Sequence, residues 1–345
     1  MLLTSGTVTS ARLLAERLPK GSIHQFVPVD HPDWVKSFLD HWKPDLALWS
    51  ESDFWPNLLE QARQRKIPMV LLQGRISPKS FTQWQRFPRF IRHILGHFDL
   101  CLAQSPGDTE RLIQLGAKAV HYDGNLKLAV PPLPAPADEL ERLLEHRGAR
   151  PTWIAASTHQ GEELVGARIH ATLKPKHPGL LTIIIPRHPP RAMSIASELA
   201  AKGLQVAVRS KDTYPQPDTD IFLVDTIGEL GLFFRLSKLV FMGKSLCAEG
   251  GQNPFEPARL GAAVLFGPRM SNFTDMTHSM LAAKAAIEVR DEPHLQEQVD
   301  TLLADPAALD RTAQAALLWA ESEADILDRF ITRLSPYLDR LHEGS

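Results

Sequence analysis

Cysteine is nearly missing from this sequence of 345 residues. The two present, Cys101 and Cys247, sit in apolar runs (FDLCLAQ and GKSLCAEGG) with no Cys/His spacing beside either. They offer no basis for a disulfide framework or a structural zinc, and they fit a reducing cytoplasm. Long hydrophobic runs are missing as well. No stretch approaches the ~20 apolar residues of a transmembrane helix, and the N-terminus lacks the charged-then-apolar layout of a signal peptide. Nor is there a surplus of one charge. The formal net charge is −2 with 23% charged residues, so the chain as a whole is not marked for nucleic acid. Any electrostatic partner has to be read from local patches.

What is present is enough apolar material, 43%, for ordinary cores, and a length that favours two domains over one. Short apolar runs alternate with amphipathic stretches. Residues 45–50 (DLALWS), 68–73 (PMVLLQ) and 98–104 (FDLCLAQ) read as strands, with helices over 32–43 and 55–66. That order predicts βαβ units and a parallel sheet. Residues 130–137 (VPPLPAPA) hold four prolines in eight positions and read as an interdomain linker. Beyond it the alternation restarts, with strands over 153–156, 180–186, 204–209, 221–224, 239–242 and 263–266. A helical tail over about 306–341 closes the chain. The predicted division is 1–129, a linker at 130–137, and 138–345. Met1–Ser5 reads as the tail of a buried strand running straight into a helix from Val8, which makes the first domain look incomplete at its start.

The second half carries the sharpest chemical signals. Residues 180–188 (LLTIIIPRH) form a buried strand ending in Pro186, Arg187 and His188. An Arg fork and an imidazole at the carboxyl end of a parallel strand suit a phosphate, although a surface Arg with a loop His fits equally. In DTIGEL (225–230), Gly228 lets backbone approach a ligand and Glu229 can accept ribose hydroxyls; a capping box is the alternative. FMGKSLCAEGGQNPFEP (241–257) runs from strand through a Gly-rich loop to a helix opened by Pro254, with Glu256 one turn inside. Three strand-end sites in succession weigh more than any one.

In the first half, SESDFWPN (50–57) places Glu51 and Asp53 at a strand end before a Pro-opened helix. Asp53 reads chiefly as a cap and Glu51 as a cleft residue. DGNLK (123–127) puts Lys127 at the domain hinge, where it meets charge in a cleft or is merely solvated. Residues 75–97 contain no acid and mix Arg75, Lys79, Arg86, Arg89, Arg92, His93 and His97 with Phe81, Trp84, Phe87 and Phe90. Such a stretch lies against anionic headgroups, grips a phosphorylated acceptor, or is a half-buried helix with a basic outer face.

Together TSGTVTSARL, ESDFWPN, GNLKL, ASTHQGEE, IIPRHP, DTIGEL and GGQNPFEP resemble the 3-deoxy-D-manno-octulosonic acid (Kdo) transferases of lipopolysaccharide assembly, over about Leu2 to Leu265. The resemblance implies an α/β GT-B fold, two Rossmann-like domains facing a cleft, and transfer of Kdo from CMP-Kdo to a lipid A precursor, lipid IVA. By it, Pro186, Arg187, His188, Ile227, Gly228, Glu229, Ser245, Gly251, Asn253 and Glu256 hold CMP. Glu51 and Lys127 correspond to a transition-state-stabilising carboxylate and lysine, and Arg75, Lys79 and Arg86 are acceptor-side candidates. No cofactor or essential metal is expected, and the setting is the cytoplasmic face of the bacterial inner membrane, with peripheral attachment.

The chain departs from the family pattern at Gly243-Lys244-Ser245, where Gly-Gly-Ser is usual, at Asp53, and at Gln73-Gly74-Arg75 in place of Asn-Ala-Arg. The family's catalytic Glu lies in a Gly-Glu motif upstream of the segment matched by TSGTVTS, so no residue here takes that role. A non-catalytic CMP-sugar-binding remnant is therefore a second expectation, and a related GT-B enzyme acting on another nucleotide sugar is a third.

Overall fold

The computed structural model describes all residues but Val130, Ala324, Gly344 and Ser345, and the remaining side chains but those of Glu16, Lys127, His342 and Glu343. The chain divides into two compact units, residues 1–127 with the last helix, Ile326–Glu343, and residues 128–325.

In the first unit, β1 (Leu2–Ser5) and β2 (Ile23–Phe26) form a two-stranded parallel sheet, while β3 (Ala47–Ser50), β4 (Met69–Gly74), β5 (Leu100–Ala103) and β6 (Val120–His121) form a second parallel sheet in that order. β4 and β5 are buried almost throughout, which is why their residues read as continuous apolar runs. Val35, Leu39, Leu59, Ile91 and Leu112 from the flanking helices close the core over Met69, Leu71 and Cys101. β1, expected to be buried, is half exposed.

In the second unit, β7 (Thr152–Thr158), β8 (Leu181–Pro186), β9 (Val206–Val208), β10 (Ile221–Leu223), β11 (Leu239–Met242), β12 (Ala263–Phe266) and β13 (Ala286–Glu288) make one seven-stranded sheet. Its order is β13-β12-β11-β7-β8-β10-β9, and all pairings are parallel. The chain builds outward from β7 in one direction and then returns to β11 on the other side. The carboxyl ends of β7 and β11 therefore flank the topological switch point, where open α/β sheets bind ligands.

Two sequence-based assignments change. The helical tail is two helices, Pro306–Ser322 and Ile326–Glu343, and they belong to different units. Arg333 on the second makes a two-pronged pair with Asp123 at 2.9 and 3.1 Å, and the Ile326 side chain lies over Gly124. The Pro-rich stretch is also more than a tether. The Leu133 carbonyl accepts from Arg235 at 2.9 Å, and Leu133 and Pro134 press so closely on Gly231 that no Cβ fits there.

Candidate functional site

At the switch point the loop after β11 folds around a carboxylate. Glu162 opens the helix Glu162–Leu173 that follows β7, and it is 1% exposed. Its Oε1 accepts from the backbone amides of Ser245, Leu246 and Cys247 at 3.0, 3.0 and 3.4 Å, and its Oε2 from His159 and Lys244 at 2.9 and 2.7 Å. The strand ends must approach closely for this. A Cβ on Gly243 would sit 2.7 Å from the Ser157 carbonyl oxygen, so glycine is required. Glu163, also buried, accepts from Arg191 at 2.9 and 3.3 Å and from Thr158 at 3.2 Å.

Ser245 does not present its hydroxyl outward. Fully buried, it donates to the Met242 carbonyl and accepts from Gly267 N–H, bracing the loop from within. Lys244, at the position of the family's usual glycine, has φ 57°. A left-handed backbone explains why glycine suits that place. Gly250 and Gly251 follow with φ 115° and 71°, tied to Arg269 and Lys244 carbonyls at 3.0 and 2.9 Å. The helix beyond is short, Phe255–Arg259, with Pro254 as its N-cap. Asn253 Oδ1 accepts from the Phe255 amide at 3.1 Å, and Asn253 Nδ2 donates to Glu256 at 3.3 Å. Burial pushes the Glu256 carboxyl above its ordinary range, an effect the Asn253 bond and the nearby Arg187 charge partly offset. Arg187 and Glu256, from two separate motifs, thus lie close enough for the charge of one to act on the other, without an ion pair between them.

Pro186 ends β8 in register with Thr158, and the Arg187 amide donates to the Thr158 carbonyl at 3.0 Å. The Arg187 and His188 side chains are exposed, and the His188 ring lies 5.5 Å from that of His159. Ile227 is 87% exposed and Gly228 has φ 88°. Glu229 does not form the expected cap. It caps no helix amide with its side chain; it binds Arg209 at 2.7 and 3.2 Å and accepts from the Thr226 hydroxyl. The Arg209 hydrogen bonds hold its carboxyl below the usual range. Arg209 also binds Glu139 at 2.7 Å, so Glu229 belongs to an ion cluster of one buried arginine and two half-buried acids.

In the first unit the carboxyl edge of β3–β6 gathers Glu51, Gln73 and Arg75. Glu51 has φ 60° and donates its amide to Leu72 O at 2.9 Å, while the Arg75 amide donates to Ser52 Oγ at 2.9 Å. The expected cap is elsewhere. Asp30, not Asp53, receives the first amides of the helix Pro56–Gln64, from Asn57 at 3.1 Å and Leu58 at 3.0 Å. Gln73, with φ 53° at a register shift in β4, donates to the Gly124 carbonyl at 3.3 Å. That bond draws the loop after β6 back over the sheet edge just before the 3-10 turn Leu126–Leu128. The Lys127 side chain lies outside the described residues. Arg75, Lys79 and Arg86 are all exposed, with Phe87 and Phe90 bare at 63% and 45%.

Glu51, Gln73, Ser157 and Lys244 all combine a left-handed backbone with the carboxyl end of a strand. Strain of this kind collects at functional edges. No residue type at these positions announces it. Glu162 was equally hidden, since GEE at a helix start reads as two acids suiting the helix dipole.

A family model described as 3-deoxy-D-manno-octulosonic-acid transferase (kdotransferase) matches residues 1–130. The 3-deoxy-D-manno-octulosonic acid transferase of Rickettsia felis is 35% identical over 340 residues, 98% of this chain and 73% of that protein. The chain belongs to the 3-deoxy-D-manno-octulosonic acid transferase family. Among solved structures, the C-terminal CMP-Kdo binding domain of WaaA from Acinetobacter baumannii is 27% identical with a TM-score of 0.50, covering 53% of this chain and 96% of that one. A glycosyltransferase from Rickettsia africae shares the fold at 12% identity and a TM-score of 0.62, over 99% of this chain and 90% of its own. The parallel-sheet α/β architecture of this Kdo transferase family member is accordingly that of GT-B glycosyltransferases. No helix among the described residues is long and apolar enough to cross a membrane.

Proposed function

We propose that the chain transfers Kdo from CMP-Kdo to a lipid A precursor, lipid IVA, at the cytoplasmic face of the inner membrane. The observation that carries the reading is the placement of Arg187, just after β8, and Glu256, after the loop that follows β11, beside the switch point of the second unit. An exposed guanidinium suits the CMP phosphate, and a carboxyl that burial pushes above its ordinary range suits a ribose hydroxyl as hydrogen-bond partner. Charge builds on the phosphate as CMP departs, so Arg187 and Lys127 supply the stabilisation and no metal takes part. Glu51 takes the role of the family's transition-state-stabilising carboxylate. Arg75, Lys79 and Arg86, with Phe87 and Phe90, receive the anionic lipid acceptor and its membrane.

The test uses the purified chain. CMP binding measured by calorimetry should weaken at least tenfold in Arg187→Ala, and transfer from CMP-Kdo to lipid IVA should persist in excess chelator. Unchanged binding in the variant would refute the donor-site assignment. CMP binding without any transfer would mark a binding protein instead.

A further inference from the structure

Away from the strand-carboxyl edges, three side chains of the first unit converge. Glu60 projects from the helix Pro56–Gln64, His93 from the helix Pro88–Leu95, and His97 follows just beyond that helix. The two histidines are four residues apart, so their rings share a face, with centroids 4.6 Å apart. Glu60 Oε2 lies 3.1 Å from His93 Nε2 and 3.2 Å from His97 Nε2. The three donor atoms all fall within 4.8 Å of one another, and no other cluster of this kind exists among the described residues.

These spacings are those of a coordination shell. Zinc bonds of about 2.0–2.1 Å in tetrahedral geometry place ligand atoms about 3.3 Å apart. A second observation concerns His97 itself. The residue is 5% exposed, yet its Nε2 has no hydrogen-bond partner: Glu60 is near enough but lies in the wrong direction. An ion between the two would satisfy both. Gln64 donates to Glu60 Oε1 at 3.1 Å, which orients the carboxylate and turns Oε2 toward the histidines. Arg63, the nearby cation, is drawn off by Asp99 at 3.3 Å.

We propose that Glu60, His93 and His97 bind one zinc-class divalent cation, with the fourth position open to water. His93 and Glu60 side chains are 62% and 41% exposed, so the open position faces solvent. Two imidazoles and one carboxylate suit zinc, cobalt, nickel or copper and not calcium or magnesium. His97 leads into the amino end of β5, the edge opposite Glu51, so the ion takes no part in sugar transfer. It fastens one helix to the other.

Cobalt(II) is the probe. Titrated into metal-free protein, it should give the intense visible absorption of a four- or five-coordinate ion, saturating at one equivalent and displaced by zinc. His93→Ala removes an exposed ligand and should fold normally; it should lose the band, and Glu60→Gln should weaken binding at least tenfold. Zinc should raise the melting temperature of the parent by several degrees and that of His93→Ala not at all. Weak octahedral absorption in the parent, or equal cobalt uptake and equal thermal shifts in parent and His93→Ala, would overturn the site.

Discussion

Replacing Glu162 by Gln should loosen the loop at the switch point while leaving both sheets in place. The carboxylate receives five backbone amides, three on Oε1 and two on Oε2. Gln keeps one oxygen and turns the other position into a donor. The better placement keeps the three bonds to Ser245, Leu246 and Cys247 and leaves the amides of His159 and Lys244 facing N–H groups. Each buried donor without an acceptor costs about 1–3 kcal/mol. Both residues are only partly buried, so the sum is taken toward the lower end, about 2–4 kcal/mol. Two compact units make one global midpoint a poor reporter. Hydrogen exchange read at residues 243–247 is the direct assay, and protection there should fall about 30- to 1,000-fold, each 1.36 kcal/mol being tenfold. Amides in β12 should be unaffected. If the variant folds and protection at 244–247 is unchanged, Glu162 does not hold the loop and the switch-point argument fails.

Four further outcomes are expected. Gly251→Ala combines a φ of 71° with a Cβ set inside the Met270 side chain, and it should destabilise the second unit by about 2 kcal/mol or more in urea titration. Arg209→Ala strands Glu139 and Glu229 beside each other and should cost about 2–3 kcal/mol, reduced from a fully buried pair because both acids are partly exposed. Because the Glu229 carboxyl is depressed, its contribution is present above the ordinary carboxylate pKa and lost as pH falls through the folded value, so the variant should lose less stability on acidification than the parent. Glu256 has the opposite sign: its raised carboxyl stabilises at low pH and the benefit vanishes as pH rises through the folded value, so Glu256→Gln should keep or raise the urea midpoint at neutral pH while CMP binding falls; a lower midpoint would refute the burial argument. Phe87→Ser combined with Phe90→Ser should leave thermal unfolding unchanged, since both rings are exposed, and should reduce sedimentation with anionic vesicles.

Fully buried strands were legible because burial on both faces leaves an uninterrupted apolar run, as in Leu181–Pro186 and Leu239–Met242. Ile23–Phe26, Val120–His121 and Ala286–Glu288 were not, being short and partly exposed. The last helix was legible as a helix, but its stripe says only that one face is covered, not by which unit. Arg187 and Glu51 could be singled out because each stands at the end of a readable strand, and Glu256 because a Gly-rich loop and Pro254 lead into its helix. Glu162 could not, because four of the five amides it collects lie 82 to 85 residues away.

Glu162 also bears on how these edges can bind an anion at all. A Gly-rich loop after a parallel strand is usually credited with amides that cradle phosphate. Here the amides of 244–247 already point at Glu162. Asp30 takes the first amides of the helix Pro56–Gln64, and Asp108 takes the Ile76 amide at 2.8 Å after β4. At each of these places the protein's own acid occupies the backbone donors. The loop is thereby fixed, but its capacity for an outside anion is largely used. On the proposed reading, binding of a nucleotide phosphate then falls to cationic side chains at the rim, and the exposed Arg187 guanidinium, with no hydrogen bond or ion pair among the described residues, is the group offered. This makes Arg187 harder to replace than a guanidinium sharing its task with a free amide nest. Lysine at that position keeps the charge but loses the fork, so Arg187→Lys should recover only part of the affinity that Arg187→Ala removes.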